Sequence, residues 1–74
     1  MKLYQFESCP YCRRVRTALE SKEIVYEKVE VPMNRDERTE LFDLSGQYMV
    51  PVLVDGEKVI ADSSRIVAYL DEEY

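Results

Sequence analysis

Apolar residues along the chain change spacing several times, and the changes divide it into alternating strand-like and helix-like stretches. Leu3 to Phe6 is a short apolar run without strict alternation, the pattern of a central strand covered on both faces. Pro10 suits the first position of a helix, where its missing N–H would have had no partner. Cys12, Val15, Ala18 and Leu19 then recur at helical spacing, with Arg13, Arg14, Arg16, Thr17 and Glu20 on other faces, which predicts a helix to about Lys22. Ile24 to Val31 is rich in β-branched residues. Val25, Val29 and Val31 share one side and Lys28 and Glu30 the other, predicting a half-exposed edge strand that Pro32 ends.

Asn34 and Glu37 have the spacing of a capping box, Leu41, Phe42 and Leu44 supply an apolar face, and Gly46 suits the left-handed position just past a helix end. These predict a second helix. Val52 to Val54 and Lys58 to Ile60 flank Asp55-Gly56-Glu57, a turn for a hairpin, and Asp62, Ser63 or Ser64 can cap a last helix that buries Ile66, Val67 and Leu70. The order is β-α-β-α-β-β-α. Its opening β-α-β unit demands parallel strands joined by a right-handed crossover, and the hairpin adds antiparallel ones. The expected fold is α/β, a four-stranded mixed sheet flanked by helices.

Composition narrows what such a fold can do. Seventy-four residues make a single domain spanning 1–74, and 46% hydrophobic content is that of a globular chain. Ten Lys and Arg against fifteen Asp and Glu leave a formal charge of −5, which repels phosphate backbones and anionic lipid. No nucleic-acid or membrane partner is expected. The longest apolar stretch, Met49 to Val54, is interrupted by Pro51 and far too short to span a bilayer, and the first residues do not resemble a secretion signal, so the expected location is cytoplasmic. Two cysteines are too few for a secreted disulfide scaffold and are better placed to react than to brace.

Those cysteines are Cys9 and Cys12 in Cys9-Pro10-Tyr11-Cys12, at the junction of the first strand and first helix. Cys9 falls near the N-cap, where unpaired backbone N–H groups and the helix dipole favour a thiolate. Cys12 lies one turn further in on the buried side, spaced to attack a mixed disulfide formed at Cys9. A Cys-x-x-Cys pair is also a metal-ligand spacing, but with no His and no third Cys the chain cannot close a tetrahedral zinc site, so no metal is expected.

Cys9-Pro10-Tyr11-Cys12, with Ser45-Gly46 and Met49-Val50-Pro51 downstream, resembles glutaredoxin, a thioredoxin-fold family, over essentially the whole chain. Cys-Pro-Tyr-Cys-Arg-Arg-Val-Arg together with Asp62-Ser63-Ser64-Arg65-Ile66 and Tyr69-Leu70 is also similar to the N-terminal thioredoxin-like domain of glutathione transferases. The resemblance implies a thiol–disulfide oxidoreductase with Cys9 as nucleophile and Cys12 as resolving thiol. It implies a cis Val50–Pro51 bond, although residue type alone favours trans, with the Val50 backbone turned toward an extended substrate. It further implies that Asp62 and Ser63 hold the γ-glutamyl end of glutathione, that Arg38 and Gln47 hold its glycine end, and that Tyr11 shapes access to the thiol.

On this reading the protein needs no bound cofactor, uses glutathione or another low-molecular-weight thiol as co-substrate, takes disulfide-containing proteins as partners, and acts as a monomer. Two departures from the glutaredoxin pattern stand out. Phe6-Glu7-Ser8 replaces an upstream Lys, and Ile60-Ala61 replaces a Gly-Gly pair. The rival readings are a noncatalytic glutathione-transferase-like binding module and an iron–sulfur carrier sharing a cluster between two chains.

Overall fold

The computed structural model describes residues 1–74, the side chain of Arg35 excepted. In chain order it comprises β1 (Lys2–Gln5), α1 (Pro10–Ser21), β2 (Glu27–Glu30), a 3-10 turn (Arg35–Glu37), α2 (Thr39–Ser45), β3 (Val52–Asp55), β4 (Lys58–Ala61) and α3 (Ser63–Glu73). The four strands lie in the order β2-β1-β3-β4. β1 runs parallel to β2, with Leu3 opposite Lys28, and antiparallel to β3, with Leu3 opposite Leu53. The α/β class, the mixed four-stranded sheet and the edge position of β2 are as the sequence predicts.

Period-two alternation explains why β1 and β3 occupy the centre. Leu3 and Leu53 point to one face, where they are fully buried with Val15 and Leu19 of α1 and Ile66 and Leu70 of α3. Their neighbours Tyr4 and Val52 point to the other face and pack on Leu41 of α2. Each central strand therefore contributes to two cores at once, and it needs apolar residues at consecutive positions to do so.

Two boundaries differ from expectation. β2 holds only Glu27–Glu30 because the chain must first return from the end of α1. Glu23 turns it with φ 58°, and Ile24 N–H donates to Leu19 O at 3.0 Å. Ile24 and Tyr26 then pack against the core while Val25 between them is 92% exposed. The Asn34–Glu37 signal closes the 3-10 turn instead of starting α2: Asn34 Oδ1 accepts from the Asp36 N–H at 3.0 Å, and Asn34 O accepts from the Glu37 N–H at 3.1 Å. α2 begins only at Thr39, and Gly46 closes it with φ 77°. Of its expected apolar face Leu41 is buried, whereas Phe42 is exposed and stacks on Tyr48 with ring centres 4.6 Å apart.

The far end of α3 is tied to the β3–β4 hairpin. The Tyr69 and Tyr74 hydroxyls both donate to Asp55 Oδ2 at 2.6 Å. These two bonds, Tyr69 first, hold the Asp55 carboxyl below its ordinary range. A group whose folded value lies below its unfolded one stabilises the fold above the unfolded value and loses that contribution as pH falls through the folded one. Asp55→Asn should therefore flatten the acid limb of stability against pH, measured by urea unfolding at a series of pH values. An unchanged acid limb would remove the clasp from the account.

Candidate functional site

β1 stops at Gln5, and the chain turns at once, with the Cys9 N–H donating to Phe6 O at 3.2 Å. That turn delivers Cys9 to the N-cap of α1 in an extended conformation (φ −76°, ψ 119°), followed by Pro10 at the start of the helix. The Cys12 N–H donates to Cys9 Sγ at 3.3 Å, so a sulfur takes the capping position usually filled by a hydroxyl or carboxylate. Both cysteines are free thiols. They are not equivalent. Cys9 is 6% exposed and Cys12 0%, and burial first, then hydrogen bonding with Cys9, pushes the Cys12 thiol up to about 12. One sulfur stands at the helix end and the other remains protonated beneath it.

A groove of about 420 Å³ has Tyr11, the residue before Cys12, on its wall. The structure brings six of the expected residues to its walls: Tyr11 from α1, Gln47, Val50 and Pro51 from the α2–β3 loop, and Asp62 and Ser63 at the start of α3. The Val50–Pro51 bond is cis. Asp62 caps α3, its Oδ1 accepting from the Ser64 N–H at 3.3 Å, and it does so at φ 78°, a left-handed conformation that aspartate tolerates better than most residues. Gln47 folds its own loop, with Nε2 donating to Met49 O at 2.9 Å. Met49 and Ala61 also line the groove, and sequence reasoning did not name them as binding residues. Their positions beside Val50-Pro51 and Asp62 were the available signal.

The carboxylate of Glu7, two residues before Cys9, lies among side chains of β1, α1 and β2. Its Oε2 accepts from Gln5 Nε2 at 2.9 Å and faces Arg16 at 3.8 Å and Lys28 at 3.9 Å. The Gln5 hydrogen bond, then Lys28 and Arg16, hold its carboxyl below the ordinary value against a smaller opposing effect of desolvation. The negative charge that stands where a lysine was expected is thus answered by two cations.

Residues 3–74 match the family model described as the glutathione S-transferase N-terminal domain. The chain belongs to that family. It is 42% identical over 78 residues to a zeta-class glutathione S-transferase of Euphorbia esula, an alignment covering 100% of this chain and 34% of that protein. It is 36% identical over 74 residues, 99% of each chain, to a glutaredoxin-like 8.6 kDa protein in the rubredoxin operon of Clostridium pasteurianum, itself uncharacterised. Among solved structures it superimposes with a TM-score of 0.91 and 33% identity on a glutathione transferase homologue of Drosophila mojavensis with bound glutathione, covering 99% of this chain and 34% of that one. The chain spans about a third of the length of the transferase relatives it matches. The fold is the thioredoxin-like fold of that N-terminal domain.

Arg38 is the expected binding residue that the structure keeps out of the groove. It is 7% exposed, and its guanidinium donates to three backbone carbonyls: Pro32 O at 2.8 Å, Tyr48 O at 2.9 Å and Met33 O at 3.3 Å. It also lies 5.4 Å from the centre of the Phe6 ring. A buried charge needs such partners, and the planar fork supplies the matching donors. In this position Arg38 clamps the segments on either side of α2, the second of which carries Gln47 and Val50. Arg38→Ala leaves the carbonyls without donors and should destabilise the chain by about 1–3 kcal/mol, read as a lower urea midpoint at unchanged m. Unaltered stability would return Arg38 to the glutathione-binding role implied by the resemblance.

Proposed function

We propose that the chain catalyses thiol–disulfide exchange, with Cys9 as nucleophile, Cys12 as resolving thiol and glutathione or a similar low-molecular-weight thiol as co-substrate. The observation that carries this reading is the Cys9 sulfur at the N-cap of α1, hydrogen-bonded by the Cys12 N–H at 3.3 Å, with Tyr11 of the same turn on the wall of an open groove. A helix N-terminus and a backbone donor both favour a sulfur anion, the form that attacks disulfides.

In the reaction Cys9 thiolate attacks the glutathione sulfur of a mixed disulfide. The S–S bond breaks, the substrate sulfur leaves as thiolate and takes a proton from solvent, and Cys9 carries glutathione. A second glutathione thiolate can attack the glutathione sulfur, forming oxidised glutathione and freeing Cys9. Alternatively Cys12, once deprotonated, attacks the Cys9 sulfur and expels glutathione, leaving an intramolecular disulfide for two further thiols to reduce. The buried, protonated Cys12 makes this second route the more pH-dependent one.

The groove suits an extended cysteinyl ligand. Val50 beside Pro51 offers backbone groups for strand-like pairing, Asp62 and Ser63 at the head of α3 suit an amino-acid head group, and Tyr11 and Met49 form exposed apolar rims. The bound glutathione of the Drosophila mojavensis homologue supports this ligand class. The protein would act as a monomer in a reducing cytosol, with disulfide-containing proteins as further substrates.

A second reading, a glutathione-binding module without exchange chemistry, is favoured by the transferase names of relatives three times as long as this chain. The two separate on one comparison. Under exchange, Cys9→Ser abolishes reduction of a glutathione mixed disulfide, whereas Cys12→Ser retains it because that route needs one protein thiol. Reduction no faster than the uncatalysed rate in both wild type and Cys9→Ser would leave the binding module, and visible absorption after anaerobic purification would instead indicate a shared iron–sulfur cluster.

A further inference from the structure

We propose that Arg16 is a positioning residue for the cysteine pair: its guanidinium ties the loop presenting Cys9 to the buried end of β1 and, against Glu7, sets the charge beneath the two sulfurs. The proposal deepens the exchange reading and rests on it for the identity of the reacting atoms. Gln5, the last residue of β1, is 0% exposed, and a buried carboxamide needs partners at both ends. Its Oε1 accepts from Arg16 Nη1, and its Nε2 donates to carboxylate oxygens of Glu7 and Glu30. Arg16 Nη2 also donates to the Glu7 backbone oxygen at 3.2 Å. One guanidinium therefore spans the buried side chain at the end of β1 and the backbone two residues before Cys9.

Arg16 follows Cys12 by one helical turn, so the two share a face of α1. Its side chain is 12% exposed, and a charge shielded from water acts more strongly on its neighbours than an exposed one. The other arginines of the helix differ: Arg13 and Arg14 are exposed, and Arg14 reaches across to Ser64 Oγ at 3.4 Å.

The charged groups nearest the loop and groove come from four segments. Arg16 belongs to α1 and Glu7 to the loop, with Lys28 and Glu30 of β2 behind them, and Asp62 stands across the groove at the head of α3. Arg16 and Glu7 act in opposite directions. The cation favours the anionic sulfur, the carboxylate disfavours it, and Lys28 moderates the carboxylate from 3.9 Å.

The test uses the full chain and two readouts: alkylation of Cys9 by iodoacetamide across pH, located by peptide mass mapping, and the potential of the cysteine pair against a glutathione redox buffer. The second equilibrium converts the protein disulfide and two glutathione thiols into two protein thiols and oxidised glutathione. In Arg16→Gln the alkylation profile should move to higher pH, with the rate at neutral pH falling roughly threefold to tenfold, and the potential should become more negative. Arg16→Lys should recover most of the rate by restoring the charge. Glu7→Gln should shift both readouts the other way, with an effect that shrinks as salt is added because Glu7 is exposed.

Shifts of the same sign in Arg16→Gln and Glu7→Gln, or none in either, would overturn the proposal, since a merely structural role cannot give opposite signs. If Arg16→Gln does not fold, Arg16→Lys and Glu7→Gln still decide it: a Glu7→Gln profile that fails to move to lower pH overturns it. Opposed alkylation shifts in a protein that never reduces a disulfide would defeat the exchange reading and leave the role of Arg16 standing.

Discussion

A sulfur occupies the place where helices ordinarily set an oxygen cap. The Cys12 N–H donates to Cys9 Sγ at 3.3 Å, which joins the first turn of α1 to the residue that precedes it. The bond serves two purposes with one atom pair. It satisfies a backbone donor that would otherwise need water, and it supplies the Cys9 sulfur with a donor that strengthens when the sulfur is charged. The same turn sinks Cys12 into the interior, so that a single helix start creates one capping thiol and one fully withheld beneath it.

What fixes that helix start is the sheet beneath it. β1 is buried on both faces, with Leu3 in the core shared with α1 and α3 and Tyr4 in the core shared with α2. It has little freedom to slip, because a one-residue shift would exchange those two side chains between the cores. Its last residue, Gln5, is buried as well. The strand thus ends at a defined height, and the turn after it sets the start of α1, through Tyr11, against the groove shared with the α2–β3 loop and the head of α3. Those two segments are held from behind by Arg38 and by the Asp62 cap respectively. The groove is made from three chain segments, each anchored separately.

The order of elements and the two-faced character of β1 were legible in sequence because periodicity reports burial directly. Cys9, Cys12 and the groove residues were legible because short motifs mark the starts of helices and strands. Most failures have a common cause, which is that polar residues carry no periodic signal. Asn34 and Glu37 look like a helix cap, and only the structure reveals that they close a separate turn before Thr39. Arg38 reads equally well as a ligand contact or as a clamp on carbonyls, since the same donors serve both. Gln5 falls in a strand expected to be covered on both faces and Arg16 on an outer face of the first helix, and their meeting depends on how α1 lies across the end of β1, which no spacing along the chain encodes. Val25 failed for another reason: its side chain has strand character, but the return from α1 takes the chain through it before pairing resumes.

The central claim is that Cys9 is the atom through which this member of the glutathione transferase N-terminal domain family reacts. Brief exposure of the reduced chain to oxidised glutathione, followed by acid quenching and peptide mass mapping, reads it without a coupled assay. The account predicts a single glutathionyl adduct on Cys9, which declines as the Cys9–Cys12 disulfide accumulates. An adduct appearing first on Cys12, or neither adduct nor disulfide under conditions where a free thiol peptide reacts, would contradict it.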